Sequence, residues 1–141
     1  MTEVFLYAAW SGRGDGSSCW LGNLAWRNGS SVRKNGFCSV DPANFSYGGE
    51  DPYKALLQIE DRIKYTHWKD VAHTDKGVEY RAFGEGDIDW PPIISKLLKS
   101  FKGLWSIEYE RKVNSTLETL MDGTRTSCEN LQRMIYEVEE K

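Results

Sequence analysis

The chain has 141 residues, of which 40% are hydrophobic, with six Trp and seven Tyr; this suits one folded domain spanning 1–141 and excludes a disordered segment. A formal charge of −3 and a pI near 5.4 exclude a strongly basic surface, so any nucleic-acid binding has to come from a local patch. Cys19, Cys38 and Cys128 are odd in number and widely spaced, which matches neither a disulfide framework nor zinc-ligand pairs, and they read as free thiols.

No stretch approaches the ~20 apolar residues of a membrane span, and the N-terminus lacks the apolar run of a secretory signal. A cytoplasmic or nuclear protein with no membrane partner is expected. The triplets Asn28-Gly29-Ser30, Asn44-Phe45-Ser46 and Asn114-Ser115-Thr116 then carry no glycosylation meaning, since acceptors matter only in secreted chains.

Glu3 to Trp10 and Cys19 to Arg27 read as two strands joined by the glycine loop of Gly12, Gly14 and Gly16. The Asn28-Gly29 turn returns the chain into a third strand, Ser31 to Val40. Residues 41–50 read as a loop, and Asp51-Pro52 starts a helix, with an acidic N-cap and Pro at the first position, running to about Thr66. Asp70 to Thr74 reads as a strand leading into a short helix through Phe83, and Gly84 to Asp89 as a turn. Trp90-Pro91-Pro92 opens a helix from Ile93 to Lys102 that Gly103 caps, and Leu104 to Arg111 alternates as a strand. From Ser115, Leu117, Leu120, Met121, Cys128, Leu131, Ile135 and Val138 recur at helical spacing, with Gly123 a place where that helix could break.

Three stretches resemble the ribonuclease H-like family within this order. "AHTDKGVEY", Ala72 to Tyr80, is similar to its fourth-strand exit, with Asp75 on a metal-binding aspartate. "ERKVNSTLETLMD", Glu110 to Asp122, resembles its last-strand exit and helix start, with Asn114 on the Asn and Glu118 on a metal-binding acid. "LYAAWSGRGDGSS", Leu6 to Ser18, is similar to its first strand and loop, but Ala9 stands where the family has its central aspartate. The resemblance implies an α/β fold with a mixed five-stranded sheet, three antiparallel strands followed by helix, strand, helix, strand and helix.

It also implies a site of Asp75 and Glu118 with an acid from Glu50 or Asp51, holding Mg²⁺ for cleavage of an RNA/DNA hybrid. Two-ion hydrolysis needs several carboxylates around ions about 3.5–4 Å apart, and Ala9 removes the one that bridges both. The expectation is therefore a degraded, non-catalytic site on a nucleic-acid-binding or protein-interaction module, with an active hybrid ribonuclease as the alternative. Lys76, Arg111, Lys112 and Asn114 are the candidate nucleic-acid contacts. Asp75 before Lys76-Gly77 also reads as a plain turn residue, and Glu118 as a solvated helix position. His67 and His73 read as core or surface histidines, because nothing nearby completes a Cys/His nucleophile.

Overall fold

A computed structural model describes residues 38–109 and 115–140. The two expected N-terminal strands, Ala9, Arg111, Lys112 and Asn114 lie outside them. Strand β1, Cys38–Val40, leads into helices α1, Pro42–Tyr47, and α2, Pro52–Leu57. A 3-10 turn, Glu60–Arg62, then enters β2, Ile63–Trp68, and a hairpin of β3, Asp70–Thr74, and β4, Gly77–Arg81. Helix α3, Trp90–Ser100, strand β5, Leu104–Ile107, and helix α4, Leu117–Glu139, complete the order.

The ribonuclease H-like arrangement is overturned by the strand pairing. β1, β2 and β5 form one sheet in the order β1-β2-β5, with both pairings parallel. The expected fourth strand, β3, is no part of that sheet; it pairs antiparallel with β4 alone. The described chain thus repeats strand, crossover, parallel strand, a pattern in which helices cover the sheet.

The local signals explain both the agreements and the misses. Asp51 caps α2 as expected, its Oδ1 accepting from the Tyr53 and Lys54 amides at 3.0 and 3.1 Å. Asp41-Pro42 uses the same device one helix earlier, with Oδ1 accepting from Ala43 and Asn44 at 3.0 and 3.3 Å, so the expected loop at 41–50 contains a helix. The expected helix to Thr66 stops at Leu57, because the β-branched and aromatic run Ile63–Trp68 becomes the central strand. The expected short helix before Phe83 is instead β4.

Alternation along the strands separates two faces. Val40, Thr66, Trp68, Trp105 and Ile107 face α3 and α4, where Trp90, Ile93, Ile94, Leu97, Leu131 and Ile135 join them in the core. Trp68 and Trp105 stack across β2 and β5, centroids 4.6 Å apart and 4° from parallel. Trp68 Nε1 donates to Thr66 Oγ1 at 2.7 Å, and that hydroxyl donates to the Leu104 carbonyl at 3.0 Å, so the polar atoms on this face are satisfied.

Asp70 ties the hairpin to the helical layer. Its fully buried carboxylate accepts from the Trp90 indole at 2.7 Å, the Val71 amide at 2.8 Å and the Gly84 amide at 3.1 Å. Burial pushes its pKa up, and these donors oppose the shift.

Helix α4 runs unbroken through Gly123. A Cβ at that position would overlap the Tyr109 ring, so the residue is there for close approach and not to end the helix. Gly123→Ala, a change that stabilises open helix positions by roughly 0.5–1 kcal/mol, should here destabilise the fold by about 1–3 kcal/mol through overpacking. Urea unfolding of the two proteins checks the sign.

Candidate active site

Three parallel strands end at the same edge of the sheet, and each exit carries an ionisable residue: Asp41 after β1, Lys69 after β2 and Glu108 after β5. They share the face opposite the core. His67 and Ser106 face each other one step earlier in the β2–β5 register, and Ser39 lies beside Tyr65. The Glu108 amide donates to the Trp68 carbonyl at 3.1 Å, which continues the ladder past Ile107 and fixes that exit.

The side chains converge on the Lys69 ammonium. Lys69 Nζ lies 3.1 Å from Asp41 Oδ2 and 3.3 Å from Glu108 Oε2, and His67 Nδ1 lies 3.2 Å from the same Glu108 oxygen. The Lys69 side chain is only 2% exposed. Among the described residues, Ser39 Oγ, Asp41 Oδ2 and His67 Nδ1 are buried without a well-formed hydrogen bond, the latter two held by ionic contact alone. Polar atoms left so are costly in a finished interior and apt for an incoming hydroxylated group.

The two carboxylates are driven in opposite directions. Burial raises the pKa of Asp41 more than the Lys69 charge lowers it. Burial also pushes Glu108 up, but the His67 contact and the Lys69 charge outweigh it, so its pKa ends below the ordinary carboxylate value. Two carboxyl groups on one ammonium, one with its pKa raised and the other with its pKa lowered, are the arrangement from which a general acid and a general base are built.

A wall of the site comes from the hairpin and α1. The Tyr80 ring centroid lies 4.6 Å from Lys69 Nζ, its hydroxyl donates to Asn44 Oδ1 at 3.1 Å, and its ring stacks on Tyr47 at 5.1 Å and 11°.

The residues expected to act lie elsewhere. Asp75 and Lys76 are the exposed two-residue turn of the β3–β4 hairpin. Glu118 is exposed in the first turn of α4, and Asp51 is the exposed cap of α2, its pKa lowered chiefly by the Lys54 amide. Glu50 is half-buried between α1 and α2. The Mg²⁺ pair Asp75 and Glu118 thus falls on an exposed hairpin tip and an exposed helix start. Among the described residues no three His, Cys, Asp or Glu side chains are grouped to hold a metal ion, and the cation between Asp41 and Glu108 is Lys69. His67, read as a core or surface residue, sits in the cluster. Asp41, Lys69 and Glu108 belong to no motif, and their one local mark is that "SVD", "HWKD" and "SIE" each place a polar residue directly after a β-prone run.

The family model described as xylose isomerase-like TIM barrel matches residues 29–134. The chain belongs to the xylose isomerase-like TIM barrel family. The ribonuclease H-like assignment, with its nuclease function, is corrected accordingly. A curated relative, an inosose dehydratase of Geobacillus kaustophilus (strain HTA426), is 33% identical over 82 residues, covering 48% of this chain and 27% of that protein. The chain thus spans about a quarter of the curated relative it matches. Among solved structures, a xylose isomerase domain protein from Planctomyces limnophilus superposes with a TM-score of 0.63 at 22% identity, covering 77% of this chain and 41% of that one. A D-tagatose 3-epimerase-like protein gives 0.57 at 20% identity, over 74% and 36%.

Those superpositions fix the fold. In (β/α) barrels of this type the C-terminal ends of the strands build the active site, and residues there come from several different strands. Asp41, His67, Lys69 and Glu108 occupy that position in this xylose isomerase-like chain. No helix among the described residues is long and apolar enough to cross a membrane.

Glu108 gives the cluster a pH signature. Its folded pKa lies below its ordinary 4.5, so its contribution to stability is complete above 4.5 and disappears as pH falls through the lowered value. Glu108→Gln, which leaves Lys69 and His67 short of a counter-charge, should cost about 3 kcal/mol at pH 7. The gap to the parent should narrow below pH 4.5, as read by urea unfolding at pH 7 and pH 3.

Proposed function

We propose that this chain supplies part of the active site of a carbohydrate isomerase, epimerase or dehydratase, an enzyme that moves a proton at a carbon next to a carbonyl in a polyhydroxylated substrate. The observation that carries this reading is the convergence of Asp41, His67 and Glu108 on Lys69 at three parallel strand exits.

As scaffolding the cluster is a poor choice. Each buried ion costs several kcal/mol of desolvation, and well-packed apolar residues often stabilise as much or more. As chemistry each member has a role. Glu108, held ionised, accepts the carbon-bound proton. The Lys69 ammonium faces the carbonyl oxygen on which negative charge grows as that proton leaves, in a site too dry to screen it. Asp41, on the same ammonium, hands a proton to that oxygen to give an enediol; Glu108 then returns its proton to the neighbouring carbon while the second hydroxyl gives its proton back to Asp41, which completes an aldose–ketose isomerisation. His67 orients Glu108 through their shared contact. Ser39 Oγ, buried without a hydrogen-bond partner, has bonding capacity for a substrate hydroxyl. The relatives named for an inosose, a tagatose and a xylose activity support the substrate class, since all three names denote polyhydroxylated carbonyl compounds.

Proton abstraction is visible without knowing the final product. In D₂O, the full-length protein should exchange the carbon-bound hydrogen beside the carbonyl of its ketose or inosose substrate, followed by proton NMR. Glu108→Gln and Lys69→Met should each slow that exchange by about 10²–10⁴, while Arg125→Ala, an exposed change on α4, should not. Undiminished exchange in Glu108→Gln would overturn the assignment.

A further inference from the structure

Besides its two carboxylates, Lys69 Nζ meets the face of the Tyr80 ring, whose centroid lies 4.6 Å away. That ring is fixed from two further directions. Its hydroxyl donates to Asn44 Oδ1 at 3.1 Å, and Tyr47 stacks on it at 5.1 Å, so the ring stands between Lys69 and Tyr47. Asn44 is fixed in turn by Asp41, whose Oδ1 accepts from the Asn44 amide at 3.3 Å while its Oδ2 lies 3.1 Å from Lys69. Asp41, Asn44, Tyr80 and Lys69 thus close a ring of contacts drawn from the exits of β1 and β2, from α1 and from β4.

We propose that Tyr80 is a positioning residue for the proton transfer, its ring face holding the Lys69 ammonium in place while the carboxylates around it change charge. An aromatic face attracts a cation through its quadrupole, and the attraction is larger where water is excluded. Lys69 is such a cation, its side chain only 2% exposed. A third carboxylate would hold the ammonium too, but it would compete with Asp41 and Glu108 for the protons being moved. A ring face offers negative charge and no site for a proton. The difference matters when Glu108 takes the carbon-bound proton, because Lys69 loses a counter-charge just as the carbonyl oxygen gains negative charge. The pull of the ring persists through that step. The inference rests on the acid–base reading above and adds to it the group that keeps Lys69 where the charge develops.

The test follows the full-length protein by exchange of substrate hydrogen with D₂O and by the NMR signal of the Lys69 ammonium, whose protons are shifted upfield if they lie over a ring face. Tyr80→Leu should remove that upfield shift and slow exchange about tenfold, through kcat and with KM within about twofold. Tyr80→Phe, which keeps the ring, should retain the shift and exchange within about threefold of the parent. Progressively fluorinated phenylalanines at position 80 keep the packing but drain charge from the ring face, so exchange should fall stepwise as fluorine is added. Exchange indifferent to fluorination, Tyr80→Phe as slow as Tyr80→Leu, or a loss confined to KM each overturns the proposal. A parent protein without exchange overturns the acid–base reading and the role in transfer with it; the ammonium signal then still decides whether the ring holds Lys69, and a signal unchanged in Tyr80→Leu overturns that as well.

Discussion

The two-residue period of the segment Thr66 to Asp70 is the constraint on which the rest of the molecule depends. A strand sends successive side chains to opposite faces, and this strand is central, with partners on both edges. Thr66, Trp68 and Asp70 therefore enter the layer under the helices, where all three are fully buried. His67 and Lys69 enter the other face and meet Glu108 and Asp41. A slip of one residue would exchange the two sets, placing an ammonium among tryptophans and an indole at the site. The tryptophan stack across β2 and β5 and the Thr66 hydrogen bonds hold that register.

Adjacent residues Lys69 and Asp70 are both buried charges, and their neighbours assign them different tasks. Asp70 meets only neutral donors, the Trp90 indole and backbone amides, so it fastens the start of α3 and the 84–86 turn to the hairpin. Lys69 meets two carboxylates whose pKa values are moved in opposite directions. Buried hydrogen bonding to a single charge is a structural device, whereas a cation shared between an acid and a base offers a proton somewhere to go.

Much of the chain was legible at the level of single elements. Trp90-Pro91-Pro92 announced α3, the spacing from Leu117 to Val138 announced α4, and the Asp70 and Leu104 strands were readable from β-propensity. Asp41-Pro42 carries the same capping signal as Asp51-Pro52, but Asn44, Ser46 and the two glycines after it give that stretch the composition of a loop. The run Leu56, Ile59, Ile63 kept helical spacing into what is a strand, an ambiguity that short apolar runs always carry. The resemblance around Asp75 misled for a related reason: a strand followed by Thr-Asp is the same string whether the Asp closes a catalytic strand or turns a hairpin.

The amino-acid sequence by itself determined the order and types of most described elements, the caps and the segregation of apolar from polar positions along each strand, because these depend on neighbours a few residues away. Only the tertiary structure decided that β1, β2 and β5 run parallel, and hence that residues 41, 67, 69 and 108 meet. Strand direction is set by where a crossover returns the chain, and the stretches between Asp41 and Lys69 and between Lys69 and Glu108, the latter pair 39 positions apart, carry no local mark of it. The pKa of each group followed from the same meeting, since charge and burial act through space and not along the chain.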